Sequence, residues 1–138
     1  MRISFIGYKN NSVNLFNDLG KLLQKRISGV ELASRFVPLP EDIPIVALEE
    51  CAESQFIFVF ALLDEEDQAE YIKKKLIDVE IASKTRILKH VEADSFSSLD
   101  EQDYEDRKEV IVKEFADLIV GILFDEKSFE PKDKDYSL

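Results

Sequence analysis

Apolar positions fall along this chain in two rhythms. Ile3 to Gly7 is a short apolar run of β character. After it, Val13, Phe16, Leu19, Leu23 and Ile27 recur at steps of three and four, which is one face of a helix. Asn10, Asn11 and Ser12 are candidate caps for that helix, and Ser28-Gly29 ends it. Val30 to Val37 reads as a second strand. The segment Pro38-Leu39-Pro40-Glu41-Asp42-Ile43-Pro44 reads as a stiff extended connection, because each proline fixes its own φ and restrains the residue before it. Pro44 suits the first turn of a helix, where its missing N–H is not needed. That helix is expected to run to about Ser54.

Phe56-Ile57-Phe58-Val59-Phe60-Ala61-Leu62-Leu63 is apolar throughout. Such a run predicts a strand buried on both faces, as in the centre of a parallel sheet covered by helices. The acids Asp64 to Asp67 stop it. A helix from about Glu66 to Ala82 and a shorter strand over Arg86–Val91 come next. A serine-containing loop over Asp94–Leu99 leads to a long helix from about Asp100 to near Phe124. Residues 125–138 are rich in charge, contain Pro131 and read as a flexible tail.

Strand-helix alternation of this kind predicts one α/β domain, a flavodoxin-like three-layer αβα sandwich with a four-stranded parallel sheet. Its crossovers are expected to be right-handed. Ligands of such sheets bind beyond the carboxyl ends of the strands. Tyr8–Ser12, Pro38–Asp42 and Asp64–Asp67 are therefore expected in one neighbourhood, joined by the loop after Val91.

Composition narrows the choice of partner. The chain has 138 residues, 45% hydrophobic and 34% charged, enough for one core. No apolar run approaches the roughly 20 residues of a membrane span, and Met1 to Gly7 does not read as a secretory leader. A cytoplasmic location is the expectation. The lone cysteine, Cys51, rules out an internal disulfide and reads as a small core residue. Eighteen basic against 29 acidic residues give a net charge of −11. That field repels nucleic acid and anionic lipid, and leaves a divalent cation, a neutral small molecule or a protein surface as partner. Gly7, Gly20, Gly29 and Gly121 lie too far apart for a dinucleotide fingerprint or a P-loop, which need backbone close to phosphate.

Four groups of residues are candidates for a site. Asp64-Glu65-Glu66-Asp67 offers the oxygen ligands that Mg²⁺ takes; the same acids also suit the positive end of a helix dipole. His90, the only histidine, is a candidate general acid or base, or a half-exposed strand residue. Tyr8 could stack on a planar ligand whose polar edge Asn10, Asn11 and Ser12 would read; a turn and a helix cap is the plainer account. The loop of Leu39, Pro40, Glu41 and Asp42 reads equally as a pocket wall or a stiff connection. A receiver domain is rejected, since Gly7-Tyr8-Lys9 offers no acidic pair after the first strand.

The stretch Phe36 to Ala47, followed by the run ending Phe60-Ala61-Leu62, resembles the lumazine synthase superfamily and, within it, the archaeal-type riboflavin synthases. Val37-Pro38, Asp42-Ile43-Pro44 and Ala61-Leu62 match the family pattern in identity and register, and Ile81-Ala82-Ser83 is similar to its Glu-Ala-Ser segment. The resemblance spans about residues 3–124. It implies a homo-oligomer, a pentamer with sites between subunits, and Mg²⁺-dependent conversion of two 6,7-dimethyl-8-ribityllumazine molecules into riboflavin and a pyrimidinedione. Tyr8 and Asn10–Ser12 would then hold one side of the lumazine and Leu39–Asp42 the other. Asp64 and Glu65 would ligate the metal, and His90 or a carboxylate would take the methyl proton. Leu39 and Leu63 replace family glycines, and Ile81 replaces the glutamate. These departures keep a second expectation open, a non-catalytic paralogue that retains the fold and oligomer as a flavin- or lumazine-binding or assembly protein.

Overall fold

The computed structural model describes residues 1–124; the tail expected over 125–138 lies outside the described residues. Strand β1 (Arg2–Tyr8) leads to α1 (Phe16–Arg26), β2 (Glu31–Val37), a 3-10 turn (Pro40–Asp42) and α2 (Ile43–Glu50). Then come β3 (Phe56–Leu63), α3 (Glu66–Ser83), β4 (Arg86–Ala93) and α4 (Glu101–Phe124). All strand pairs are parallel, in the order β2-β1-β3-β4. The protein is an α/β three-layer sandwich of flavodoxin-like type.

Alternation along each strand sorts the core into two halves. Ile3, Phe5, Phe56, Phe58 and Phe60 point to one face, where α1 and α4 cover them with Leu19, Leu23, Val112 and Ile119. Ile6, Ile57, Val59, Ala61 and Leu63 point to the other, under Ile43 and Ala47 of α2 and Ile72 and Leu76 of α3. β3 is buried along its whole length, which is why its sequence shows no alternation. Full burial of one such Phe or Ile side chain contributes about 1.5–3 kcal/mol.

Several boundaries differ from the sequence expectation, each for a local reason. α1 begins at Phe16 with Leu15 at its cap position, because Asn11 and Ser12 bond elsewhere and the Phe16 N–H is taken by Asn14 Oδ1 at 3.0 Å. The proline segment tightens into the 3-10 turn, and Pro44 does sit in the first turn of α2. α2 stops at Glu50, short of Ser54. β4 continues to Ala93, since Glu92 and Ala93 still pair with Leu62 and Leu63. Cys51 follows the last residue of α2, half-buried against the α2/α3 side of the core. Among the described residues, no helix is long and apolar enough to cross a membrane.

Candidate functional site

In a sheet of this order the chain turns one way after β1 and the other way after β3. The crevice beyond these two strands is the ordinary ligand position. Pairing between β1 and β3 ends at Gly7 opposite Phe60, while β3 runs on to Leu63. Asn11 occupies the gap that opens there. Its Nδ2 donates to Phe60 O at 2.9 Å, and its Oδ1 accepts from Leu62 N at 2.8 Å. The side-chain amide thus continues the β1 ladder where the backbone has turned away.

The next residue ties the first loop to the last one. Ser12 Oγ donates to Asp94 Oδ1 at 2.8 Å, and the same carboxylate accepts the Phe96 N–H at 2.9 Å. Burial alone would raise the Asp94 pKa, but the bonds from Phe96, Ser12 and Ser97 hold it below the usual carboxylate range. Asp94 N donates to Leu63 O at 2.8 Å, and the Tyr104 hydroxyl reaches Ser12 O at 3.3 Å. The loops after β1 and β4 are therefore joined across the end of β3, as the strand order predicts.

On the other side of Asn11, Lys9 N donates to Val37 O at 2.8 Å, which sets Tyr8 beside the end of β2. The Tyr8 ring is half-buried against the α2/α3 core, and its hydroxyl accepts from Asn10 Nδ2 at 3.3 Å. Beyond Val37, Leu39 is 52% exposed, Pro40 is buried, Glu41 is exposed and Asp42 is half-buried in the turn. Tyr8 and Leu39 thus stand along one rim of the sheet.

Asp64 to Asp67 follow β3 at the same carboxyl end of the parallel sheet. Asp64 and Glu65 are exposed, and with Asp67, Gln68 and Tyr71 they line an open recess of about 560 Å³. Glu66 and Asp67 fall in the first turn of α3, where a helix dipole favours acids. Among the described residues, no group of three His, Cys, Asp or Glu could hold a metal ion. Asp64 and Glu65, with Asp67 and Gln68 in the same recess, are exposed oxygen donors of the kind a hydrated Mg²⁺ takes.

His90 sits within β4, on the face that α4 covers. It stacks on Phe60 with ring centroids 5.3 Å apart, and Phe115 closes edge-on at 5.1 Å. Burial lowers its pKa; Glu92 opposes this, while Lys73 and Arg107 add to it. The ring is half-buried against the aromatic core, and its burial favours the neutral form.

A buried polar cluster at the opposite end of the sheet escaped the sequence reading. Glu50, 6% exposed, accepts from Ser4 Oγ at 2.6 Å, from Arg2 at 3.3 Å and from Arg35 at 3.4 Å, and Ser54 joins through Ser4 at 2.6 Å. Its signal was polar Arg2 and Ser4 alternating with Ile3 and Phe5 in an otherwise apolar strand. A second recess, about 720 Å³ and open to solvent, lies between α1 and α4, lined by Lys21, Leu22, Lys25, Lys108 and Val112 among others.

Compared with protein-family models and with curated proteins, the chain matches none.

Proposed function

We propose that this chain is a non-catalytic paralogue of the archaeal-type riboflavin synthases it resembles, binding a neutral, planar lumazine- or flavin-type molecule at the carboxyl rim of its sheet. The observation that carries this reading is Asn11. Both of its amide atoms bond to the β3 backbone, so at this crevice they hold the strand end instead of facing a ligand. The half-buried ring of Tyr8 and the exposed Leu39 beside it support binding at the rim, since an aromatic face and an aliphatic edge suit a planar heterocycle. A net charge of −11 favours a neutral ligand over a phosphorylated one.

A divergent riboflavin synthase is the second reading. It is favoured by the placement of Tyr8 and of Leu39–Asp42 at the adjacent ends of β1 and β2, the two segments that the resemblance assigns to opposite sides of a lumazine. On that reading the oligomer, a pentamer by resemblance, would complete the site from a neighbouring subunit.

One experiment separates the two. 6,7-Dimethyl-8-ribityllumazine and riboflavin are titrated against the protein by fluorescence, with Mg²⁺ or with a chelator, and riboflavin formation is followed by chromatography. Saturable binding without riboflavin formation, weakened in Tyr8→Ala, supports the binding reading. Turnover establishes the synthase reading. With neither binding nor turnover, both are wrong.

A further inference from the structure

We infer that the open edge of β2 is a self-association surface, on which a second copy of this chain adds its own β2 antiparallel across a two-fold axis at Ala33. This inference stands on the sheet edge and is independent of the ligand reading.

The two edges of the sheet are treated differently. Toward β1, Glu31 N donates to Met1 O and Val37 O accepts from Lys9 N. Odd-numbered residues of β2 therefore bond inward, and the backbone N–H and C=O of Leu32, Ser34 and Phe36 point outward. At the other edge, the outward groups of Ile87 are capped: its N–H donates to Glu80 Oε2 at 2.8 Å and its C=O accepts from Lys89 Nζ at 2.9 Å. Among the described residues no side chain does this for β2. An uncapped edge is a template for another strand, which proteins ordinarily protect. Most of β2 is also exposed, including Phe36 at 47%.

Charge selects a second copy as the occupant. In an antiparallel pair centred on Ala33, Arg35 of each strand lies opposite Glu31 of the other, on the α2 face of both. Opposite charges directly across an antiparallel pair stabilise it, whereas like charges oppose it. Arg35 already contacts Glu49 and Glu50, and Glu31 contacts Arg2. Each side chain is still exposed, and the guanidinium has five donors to share. On the other face Phe36 meets Val30 of the second copy and Leu32 meets Ser34, so the half-exposed aromatic gains an apolar neighbour. Ala33, on the axis, is small enough for two copies to face each other. A shift of two residues places Arg35 opposite Ala33 and loses both charge pairs, so this register is the favoured one.

Sedimentation equilibrium of the full chain over micromolar to millimolar concentrations tests this. The expected mass is two chains of 15.9 kDa each. Ser34→Pro removes one outward N–H without touching the β1 ladder and should leave a folded monomer by circular dichroism. Glu31→Arg places arginines opposite each other and should weaken association by roughly tenfold or more. A wild-type monomer throughout overturns the inference. So does any assembly, a five-chain one included, whose mass neither Ser34→Pro nor Glu31→Arg alters. Loss with Ser34→Pro but not with Glu31→Arg overturns the register and with it the choice of partner.

Discussion

His90 lies flat against Phe60, its ring plane 9° from that of the phenyl group. The two are register partners on β4 and β3, so the stacking follows from the pairing of the strands. Burial disfavours the charged imidazole here, and the folded protein binds its proton less readily than the unfolded chain does. The stability that neutral His90 provides is fully present above its ordinary value of 6.5 and declines as pH falls below it. Glu92 works against this decline, and Lys73 and Arg107 reinforce it. His90→Phe keeps the ring contacts and removes the titration. Urea midpoints of the two proteins should run parallel above pH 7 and diverge below 6.5, with the variant the more stable. Parallel curves down to pH 5 would show that His90 titrates as if exposed.

Asn11 makes a sharper demand on its residue type. Asn11→Ala leaves Phe60 O and Leu62 N without their partner in a partly buried position, at a cost of about 2–3 kcal/mol. Asn11→Asp keeps an acceptor for Leu62 N but turns an oxygen toward Phe60 O, so it should cost at least as much. Equilibrium unfolding in urea measures both. If Asn11→Asp proved neutral, the amide would not be holding the strand end in the way described.

Much of the fold was legible because hydrophobic pattern decides it. Eight apolar residues in β3, periodic Leu19 and Leu23 in α1, and Pro44 at the start of α2 each have one natural placement. Asn11 and Ser12 were not legible in the same way. Asparagine and serine after a strand ordinarily cap the next helix, and only the gap between β1 and β3, together with the arrival of Asp94 from a distant loop, draws them elsewhere. Glu50 was hidden for a similar reason. Its three partners come from β1 and β2, well before it in sequence, and a glutamate in a helix gives no sign of being buried. His90 was read both as a possible acid or base and as a half-exposed strand residue; the structure leaves it half-buried on β4, against Phe60 and Phe115, contacts that residue type alone does not show.

The Glu50 cluster predicts a separate acid sensitivity. Burial alone would raise the Glu50 pKa, but the bonds from Ser4, Arg2 and Arg35 outweigh it and leave the carboxyl below its ordinary value of 4.5. Its contribution is therefore complete above 4.5 and is lost as pH falls through the lower folded-state value. Glu50→Ala removes the acceptor shared by Ser4, Arg2 and Arg35, while Arg2 keeps Glu31 and Glu53 and Arg35 keeps Glu49, so it should cost about 1–2 kcal/mol at pH 7. Glu50→Gln should cost less at pH 7 and flatten the acid limb of the stability curve. Thermal melts from pH 7 to pH 3 would show this as a wild-type loss that the glutamine variant lacks.

Gly7 links the packed core to the exposed sheet edge. A Cβ at this position would lie 2.9 Å from Phe16 Cε2 and 3.0 Å from two atoms of the Phe36 ring. Phe16 cannot retreat, being buried with its ring 5.0 Å from that of Phe5 and 6.1 Å from that of Phe58. Phe36 is half-exposed and can swing away. Gly7→Ala should therefore cost about 1–3 kcal/mol, the ordinary range for an extra methyl in a packed site. Phe36→Ala relieves only the contacts made by Phe36. Combining it with Gly7→Ala should recover part of the loss, and the clash with Phe16 should account for the remainder. Urea midpoints of the two single variants and the double variant measure the coupling. Strict additivity would mean that Phe36 already yields freely and that Phe16 alone sets the requirement for glycine.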